Sequence, residues 1–218
     1  MGDKELLHYL EGFISVERKQ RFLSILKNRT NFISVAIEDV YQMHNTSAVI
    51  RSCESFGVQK AHLIEGRFGK RLDKKIAMGA QQWVDIHRYT SVTEAISVLR
   101  EQGYKIVATS PHADSSLLTD FKLEAPIALF FGTEKEGLSQ EVMEKADMFL
   151  KVPMVGFTES LNISVSAAII LQDLTAKLRQ SDLPWQLTDA EILEKRLDWT
   201  KKSIRSIEDI LNRFYRTK

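Results

Sequence analysis

Residues 127–131 read Ile-Ala-Leu-Phe-Phe, five apolar side chains in a row with no polar residue at alternate positions. A strand with one wet face alternates. This segment instead fits a strand covered on both faces, as helices on either side of a parallel sheet would cover it. The surrounding chain repeats the same arrangement. Candidate strands fall at Phe32–Val40, Val58–Ile64, Trp83–Tyr89, Tyr104–Thr109 and Met148–Val152, with candidate helices at Thr46–Phe56, Val92–Gln102 and Ser139–Lys145. Val92, Ala95, Ile96 and Leu99 form one apolar face, and Gly103 stands where a C-cap glycine is wanted. A further helix, Leu161–Arg179, is apolar almost all round through Leu171, as a buried helix is. The alternation predicts an α/β fold with a mostly parallel sheet flanked by helices.

The two ends differ from this middle. Leu6, Leu7, Leu10 and Phe13 lie at helical spacing, and Phe22, Leu23, Ile25 and Leu26 follow inside a basic frame of Arg18, Lys19, Arg21, Lys27 and Arg29. Leu183-Pro184-Trp185 breaks the long apolar helix, and a charged helical tail with Ile192, Leu197, Ile204, Ile207, Ile210 and Leu211 on one side runs from about Thr188. The expected organisation is a helical extension over 1–30, a catalytic-sized domain over 31–180 and a second helical extension over 181–218.

Composition narrows the functional classes. Thirty basic side chains against 29 acidic ones give a net charge of +1, so a nucleic-acid surface here must be local rather than global. One cysteine forms no intramolecular disulfide, Asp3, Lys4 and Glu5 do not open a secretory signal, and no apolar run approaches the roughly 18 residues of a membrane span. The expectation is a cytoplasmic protein with neither a membrane nor a DNA partner. Five scattered histidines supply no ligand pair at structural-zinc spacing, so no metal is expected. The first α/β strand is followed by Gln42-Met43-His44-Asn45-Thr46 rather than by G-x-G-x-x-G, and the chain has no G-x-x-x-x-G-K-[ST] loop. Ordinary dinucleotide and P-loop chemistry lose most of their support.

Three segments stand out. Asn45-Thr46-Ser47-Ala48-Val49-Ile50-Arg51-Ser52 is a strand-to-helix junction ending on an arginine, with Asn45 a natural N-cap. Phe131-Gly132-Thr133-Glu134-Lys135-Glu136-Gly137-Leu138-Ser139 follows the most apolar strand. Val152-Pro153-Met154-Val155-Gly156-Phe157-Thr158-Glu159-Ser160-Leu161-Asn162-Ile163-Ser164 opens the apolar helix, with Ser160 placed to cap it. Taken singly, each reads as a cap or a turn. The last two lie at C-terminal strand ends, where open α/β sheets bind ligands.

Taken together, N-x-x-A-x-x-R-S, F-G-x-E-x-x-G-L-S and V-P-M-x-G-x-x-x-S-L-N-x-S-V-S-A-A closely resemble the three motifs of the SpoU (TrmH-type) RNA ribose 2′-O-methyltransferases of the SPOUT class. The resemblance covers about residues 32–180, and the third motif is its most specific part. It implies a C-terminal deep trefoil knot that binds S-adenosylmethionine, a homodimer, and methyl transfer to a ribose 2′-oxygen. Carried over, the cofactor contacts fall at Thr109, Gly132, Val152 and Leu161, with Pro153, Met154 and Ser160 nearby, and Gly132 is expected to allow close backbone approach. The family's catalytic residue corresponds to Arg51. A guanidinium is almost always protonated, so two roles stay open: transient deprotonation helped by an RNA phosphate, or holding that phosphate while it or a water takes the proton. Asn45, Glu134, Ser160 and Asn162 match the remaining polar site positions. Asn45 and Arg51 stand six residues apart, about 120° round a regular helix, so a shared site would want Asn45 before the first turn.

Short extensions at both ends resemble the branch of the family that acts on the D-loop guanosine of tRNA, position 18. The alternatives are another tRNA or ribosomal-RNA ribose, a catalytically inactive knotted RNA-binding module, and a nucleotide-dependent enzyme on an ordinary α/β sheet. Residues 60–75 carry six basic groups (Lys60, Arg67, Lys70, Arg71, Lys74, Lys75) against Glu65 and Asp73. With Arg18 and Arg21 near the start and Lys177 and Arg179 later, they are the candidate phosphate contacts. For Trp185, Trp199 and Tyr215, packing against the core competes with stacking on bases.

Overall fold

The computed structural model describes residues 2–40, 42–66, 79–111 and 115–216. Residues 30–185 form one compact unit, and the segments up to Arg29 and from Gln186 together form another.

In the larger unit, the described strands make one seven-stranded sheet with every pairing parallel, in the order β3-β2-β1-β6-β4-β7-β5. These are β1 (Ile33–Glu38), β2 (Lys60–Ile64), β3 (Asp85–Tyr89), β4 (Lys105–Thr109), β5 (Ser116–Leu117), β6 (Ile127–Phe131) and β7 (Met148–Lys151). The uniform apolarity of β6 has a direct cause. Ile127, Leu129 and Phe131 face one core with α3 (Met43–Phe56) and α6 (Ile163–Arg179), while Ala128 and Phe130 face a second core that includes residues of α4 (Val92–Glu101) and α5 (Gln140–Lys145). All five side chains are buried, so neither face tolerates a polar residue.

Two element starts differ from the sequence expectation. Helix α3 begins at Met43, three residues before Thr46, and Gln42 rather than Asn45 occupies its N-cap without a side-chain cap bond. The side chain of Asn45 is engaged across the fold instead, as described below. Helix α6 begins at Ile163, capped by Asn162 and not by Ser160, because the Asn162 side chain accepts the Ser164 N–H. Strand β1 ends at Glu38, where Asp39 turns the chain with φ of 47°. On β2, His62 is fully buried and its Nδ1 lies 3.0 Å from the Tyr89 hydroxyl. Burial, and then the charges of His87 and Lys60, push its pKa down to about 3.

The smaller unit is helical: α1 (Gly2–Glu11), α2 (Val16–Leu26), α7 (Asp189–Ser203) and α8 (Ile207–Arg216). Leu6 and Leu10 of α1 share an apolar cluster with Leu197 of α7 and with Ile207, Ile210, Leu211 and Phe214 of α8. The α8 residues recur at the i, i+3, i+4, i+7 spacing that makes one helical face. Ser15 caps α2, and Thr188 with Glu191 forms a capping box on α7. Arg29, part of the expected basic frame, is instead buried with its guanidinium 5.5 Å from the Trp199 ring centre. Phe13 stands 47% exposed despite its apolar spacing. Burial and hydrogen bonds from Lys19 and Arg196 act oppositely on the Glu11 carboxyl, and the net effect holds it below the usual carboxylate range. No described helix is long and apolar enough to cross a membrane.

Candidate active site

The chain leaving β6 folds back on itself at once. Thr133 and Gly137 exchange both backbone hydrogen bonds, at 2.9 and 3.0 Å, and the Glu136 N–H donates to Thr133 Oγ1. This clasp passes so close to Gly132 that a Cβ there would lie 2.2 Å from the Gly137 carbonyl and 2.4 Å from Leu138 N. Gly137 itself has φ of 71°, a region that favours glycine. The close approach expected at Gly132 is therefore made by the clasp's own backbone.

The clasp presents Glu134 to the other two motifs. Glu134 Oε1 accepts from Asn45 Nδ2 at 2.9 Å and also from Asn162 Nδ2. Asn162 Nδ2 further reaches Asn45 Oδ1 at 3.2 Å, and Asn45 Nδ2 donates to Gln42 Oε1 at 3.1 Å. An ionised carboxylate only accepts, so both amides must turn their NH2 groups toward it. That orientation leaves Asn162 Oδ1 to take the Ser164 N–H at 2.8 Å and the Ser164 hydroxyl at 2.6 Å. One residue from each motif thus meets at one point.

Arg51 does not join them. Asn45 sits inside the first turn of α3 and is 3% exposed, while Arg51 is exposed and has no hydrogen-bond or ion-pair partner among the described residues. The expectation that Asn45 precedes the helix is therefore corrected. Because both lie on one regular helix, the 120° between them separates a buried amide from a guanidinium open to solvent.

Beside the cluster lies a cavity of about 370 Å³ at the carboxyl ends of β4, β6 and β7. Of the sequence candidates, Thr109, Gly132, Val152, Met154, Glu134, Ser160 and Leu161 line it, and Pro153 does not. Thr109 Oγ1 donates to the Phe130 carbonyl at 2.7 Å, which ties β4 to β6 where the cavity opens. Lining residues that the sequence reading passed over include Ser110, Met143 and Ile170. Ile170 looks like any core position of an apolar helix, so no signal separated it. Glu38 was also passed over; it is 5% exposed and accepts the Ser139 N–H at 2.9 Å. Among the described residues, no group of three His, Cys, Asp or Glu is placed to hold a metal ion.

The candidate phosphate contacts divide. Arg18 and Arg21 are exposed along α2. Lys177 Nζ instead donates to the Leu118 carbonyl at 2.5 Å and to the Thr119 carbonyl at 3.2 Å, and pairs with Asp173. Arg179 donates to the carbonyls of Phe56 and Thr175 and lies over the Trp185 ring. Both are structural cations of their own unit, which removes the reason to read them as free phosphate contacts. Lys70 and Arg71, with Arg67, Lys74 and Lys75, lie outside the described residues. Trp199 is buried against Phe22, whereas Tyr215 is 62% exposed.

Set beside known proteins, residues 33–172 match the profile of the SpoU rRNA Methylase family. The chain is 38% identical over 206 residues to a tRNA (guanosine(18)-2′-O)-methyltransferase of Borreliella burgdorferi, covering 93% of this chain and 94% of that protein. It is 34% identical to the enzyme of the same name from Thermus thermophilus, over 85% of this chain and 96% of that protein. A crystal structure of an A. aeolicus TrmH/SpoU tRNA modifying enzyme superposes with a TM-score of 0.76 at 28% identity, over 86% of this chain and 97% of that one.

Proposed function

Because the chain belongs to the SpoU methylase family, we propose that it is an S-adenosylmethionine-dependent RNA ribose 2′-O-methyltransferase acting on guanosine 18 of tRNA. The single observation that carries this is likeness over 93% and 85% of the chain to two proteins of that name, with one polar residue of each motif hydrogen-bonded into a cluster beside the cavity. A likeness that spans the helical ends as well as the sheet domain favours the D-loop guanosine over another RNA ribose.

The cavity suits the cofactor. Its volume is that of a pocket for a ligand of this size. Thr109, Ser110, Thr133, Lys151 and Val152 line it together with the apolar Leu138, Leu161 and Ile170, so its wall offers both polar groups and apolar contact to a nucleoside. The lining sets the carboxylates Glu134, Glu136 and Glu159 against Lys135 and Lys151, a mix that suits a ligand bearing a sulfonium, an ammonium and a carboxylate. When bound, S-adenosylmethionine supplies the electrophilic methyl group. Thr109, Gly132, Val152, Met154, Ser160 and Leu161 hold it, with Pro153 shaping the loop between Val152 and Met154.

The chain's own part in the chemistry is positioning and charge. Glu134, Asn45 and Asn162 lock the three motif segments so that the nucleophile's approach is fixed. Arg51 meets the RNA from the solvent side, and its forked guanidinium holds a phosphate next to the reacting ribose. The proton of the 2′-hydroxyl then leaves to that phosphate or to a water. Arg18 and Arg21 add phosphate contacts, so affinity falls as salt rises.

In this reading residues 31–180 are the catalytic domain, 1–30 and 181–218 are helical extensions, and the chain after β6 closes the family's trefoil knot around the cavity. The protein works in the cytoplasm as a homodimer. Val155 and Phe157 project fully into solvent, and Met43, Val165 and Ile169 are more than a third exposed. Apolar side chains left this open on the loop and on α3 and α6 fit burial against a second copy.

The test is methyl transfer from labelled S-adenosylmethionine to an unmodified tRNA transcript, run beside the same transcript carrying 2′-deoxyguanosine at position 18. Label in the first and none in the second is the expected result. Equal label in both moves the target to another ribose, and no label in either, nor in ribosomal RNA, leaves an inactive RNA-binding module.

A further inference from the structure

We infer that Glu38 is a positioning residue of this site: its buried carboxylate anchors the clasp of residues 132–138 through the Ser139 N–H, and so holds Glu134 where Asn45 and Asn162 can reach it. This rests on the functional reading above for its catalytic consequence, but not for its structural one.

Glu38 is the carboxylate that the larger unit buries among its described residues; the other side chains buried there are apolar, neutral polar or His62. Taking a carboxyl group out of water is unfavourable unless hydrogen bonds replace the lost solvation. The sequence had a cheaper choice at the end of an otherwise apolar-and-small strand, Ile-Ser-Val-Ala-Ile, so an acid here needs a local reason.

The register supplies one. Strand β1 lies between β2 and β6, and its last pairing with β6 is Ile37 with Phe131. Glu38 therefore stands one step beyond the end of β6, level with the point where Gly132 begins the clasp. At the other end of the clasp, Ser139 has its N–H 2.9 Å from Glu38 Oε2 and its hydroxyl on the Val142 N–H as the cap of α5. The outgoing end is fixed by β6 and the contact of Gly132 with Gly137. Without Glu38, the returning end would keep the Thr133–Gly137 bridge, the packing of Leu138 on the second core and the start of α5, but would lose this hydrogen bond to β1.

Asp39 fixes the direction of the anchor. Its positive φ turns the chain sharply after Glu38, and the Asp39 N–H donates to the Ile64 carbonyl at 2.9 Å. The chain then runs toward Gln42 and Asn45. Glu38 thus ties the segment that delivers Asn45 to the segment that delivers Glu134, two of the three partners in the cluster.

The experiment compares Glu38→Met, which removes the acceptor, with Glu38→Gln, whose amide oxygen can still take the Ser139 N–H. Amide hydrogen exchange at Thr133, Gly137 and Ser139 is read first, then S-adenosylmethionine affinity by calorimetry and the transfer rate. We expect faster exchange confined to the clasp in Glu38→Met, with cofactor affinity and kcat each lowered roughly tenfold or more, and recovery to within about threefold in Glu38→Gln. Unchanged exchange, affinity and rate in folded Glu38→Met overturn the proposal, as does a change in melting temperature with exchange raised evenly over the whole sheet.

If Glu38→Met does not fold, Ser139→Pro is compared with Ser139→Ala. The first lacks the N–H and the second keeps it, while both lose the capping hydroxyl. Clasp loosening in Ser139→Pro beyond that in Ser139→Ala supports the anchor, and equal behaviour of the two overturns it. Absence of cofactor binding in the unaltered protein would count against the functional reading alone, because the exchange result is read without any ligand.

Discussion

The inner and outer parts of the candidate site are built in opposite ways. On the inner side, the clasp after β6 bonds to itself, leaves no room for a Cβ at Gly132, and delivers Glu134 to two asparagines. On the outer side, the loop before α6 carries Val155 and Phe157 with no cover, and Arg51 points away with no described partner. The difference separates two tasks. A pocket for a small ligand gains from parts already fixed, because ordering them on binding would oppose affinity. A surface for a macromolecule can stay open until the partner covers it.

The two parts should come apart most visibly at Arg51. Arg51→Ala should lower methyl transfer to tRNA by roughly a thousandfold, the upper end for removing one charge-stabilising group. Cofactor affinity and melting temperature should stay as they are, since Arg51 is exposed and makes no hydrogen bond or ion pair with the described residues of the inner part. A parallel loss of cofactor affinity, read by calorimetry, would show that the two parts are one.

Gly132→Ala attacks the inner part. The new Cβ would meet the Gly137 carbonyl at 2.2 Å, so the clasp must open. Cofactor affinity should fall roughly a hundredfold, a loss of the size that misplacing a positioned group brings. Calorimetry checks it, with circular dichroism to confirm the fold.

On the outer side, the double substitution Val155→Ser with Phe157→Ser should raise the dissociation constant of the proposed dimer by about tenfold or more, since two exposed apolar anchors are removed. Light scattering over a dilution series reads the shift. Melting of the separated subunit should not change, because neither side chain is buried within it.

The smallest effect lies away from both parts. His62 is neutral in the fold with a pKa of about 3, against 6.5 for the free side chain. As pH falls through about 6.5 the unfolded chain takes up the proton first. The stability linked to His62 is therefore complete above that pH and is lost progressively toward pH 3. The slope is at most about 1.4 kcal/mol per pH unit. Urea unfolding at several pH values should show this slope in the unaltered protein and a flatter one in His62→Gln.

The sequence was most legible where chemistry and periodicity coincide. The five apolar residues of β6 imposed a doubly covered strand, and the sheet has it. Asn45, Glu134 and Asn162 could be singled out because polar residues at strand ends and helix starts are few and carry motif spacing. What could not be read was which of two local roles each would take. Asn45 is a good N-cap by type, yet the amide is used across the fold, and Asn162 took the capping role expected of Ser160. Capping is a preference of about 1 kcal/mol, which a tertiary network can override. Glu38 escaped notice because an acid at the end of a strand looks like a solvated terminus until the sheet order places it beside the clasp. Composition also marks a charge without showing what it covers: Arg29 lies against a ring and Lys177 bonds carbonyl oxygens.

If the clasp and its cluster are already fixed, the inner part is complete without RNA. Calorimetric titration of S-adenosylmethionine into the RNA-free protein tests it most directly, with Arg51→Ala titrated alongside. Saturable binding of one cofactor per chain, equal in the two proteins, is the predicted result. Binding that appears only after tRNA is added, or that vanishes in Arg51→Ala, would contradict it.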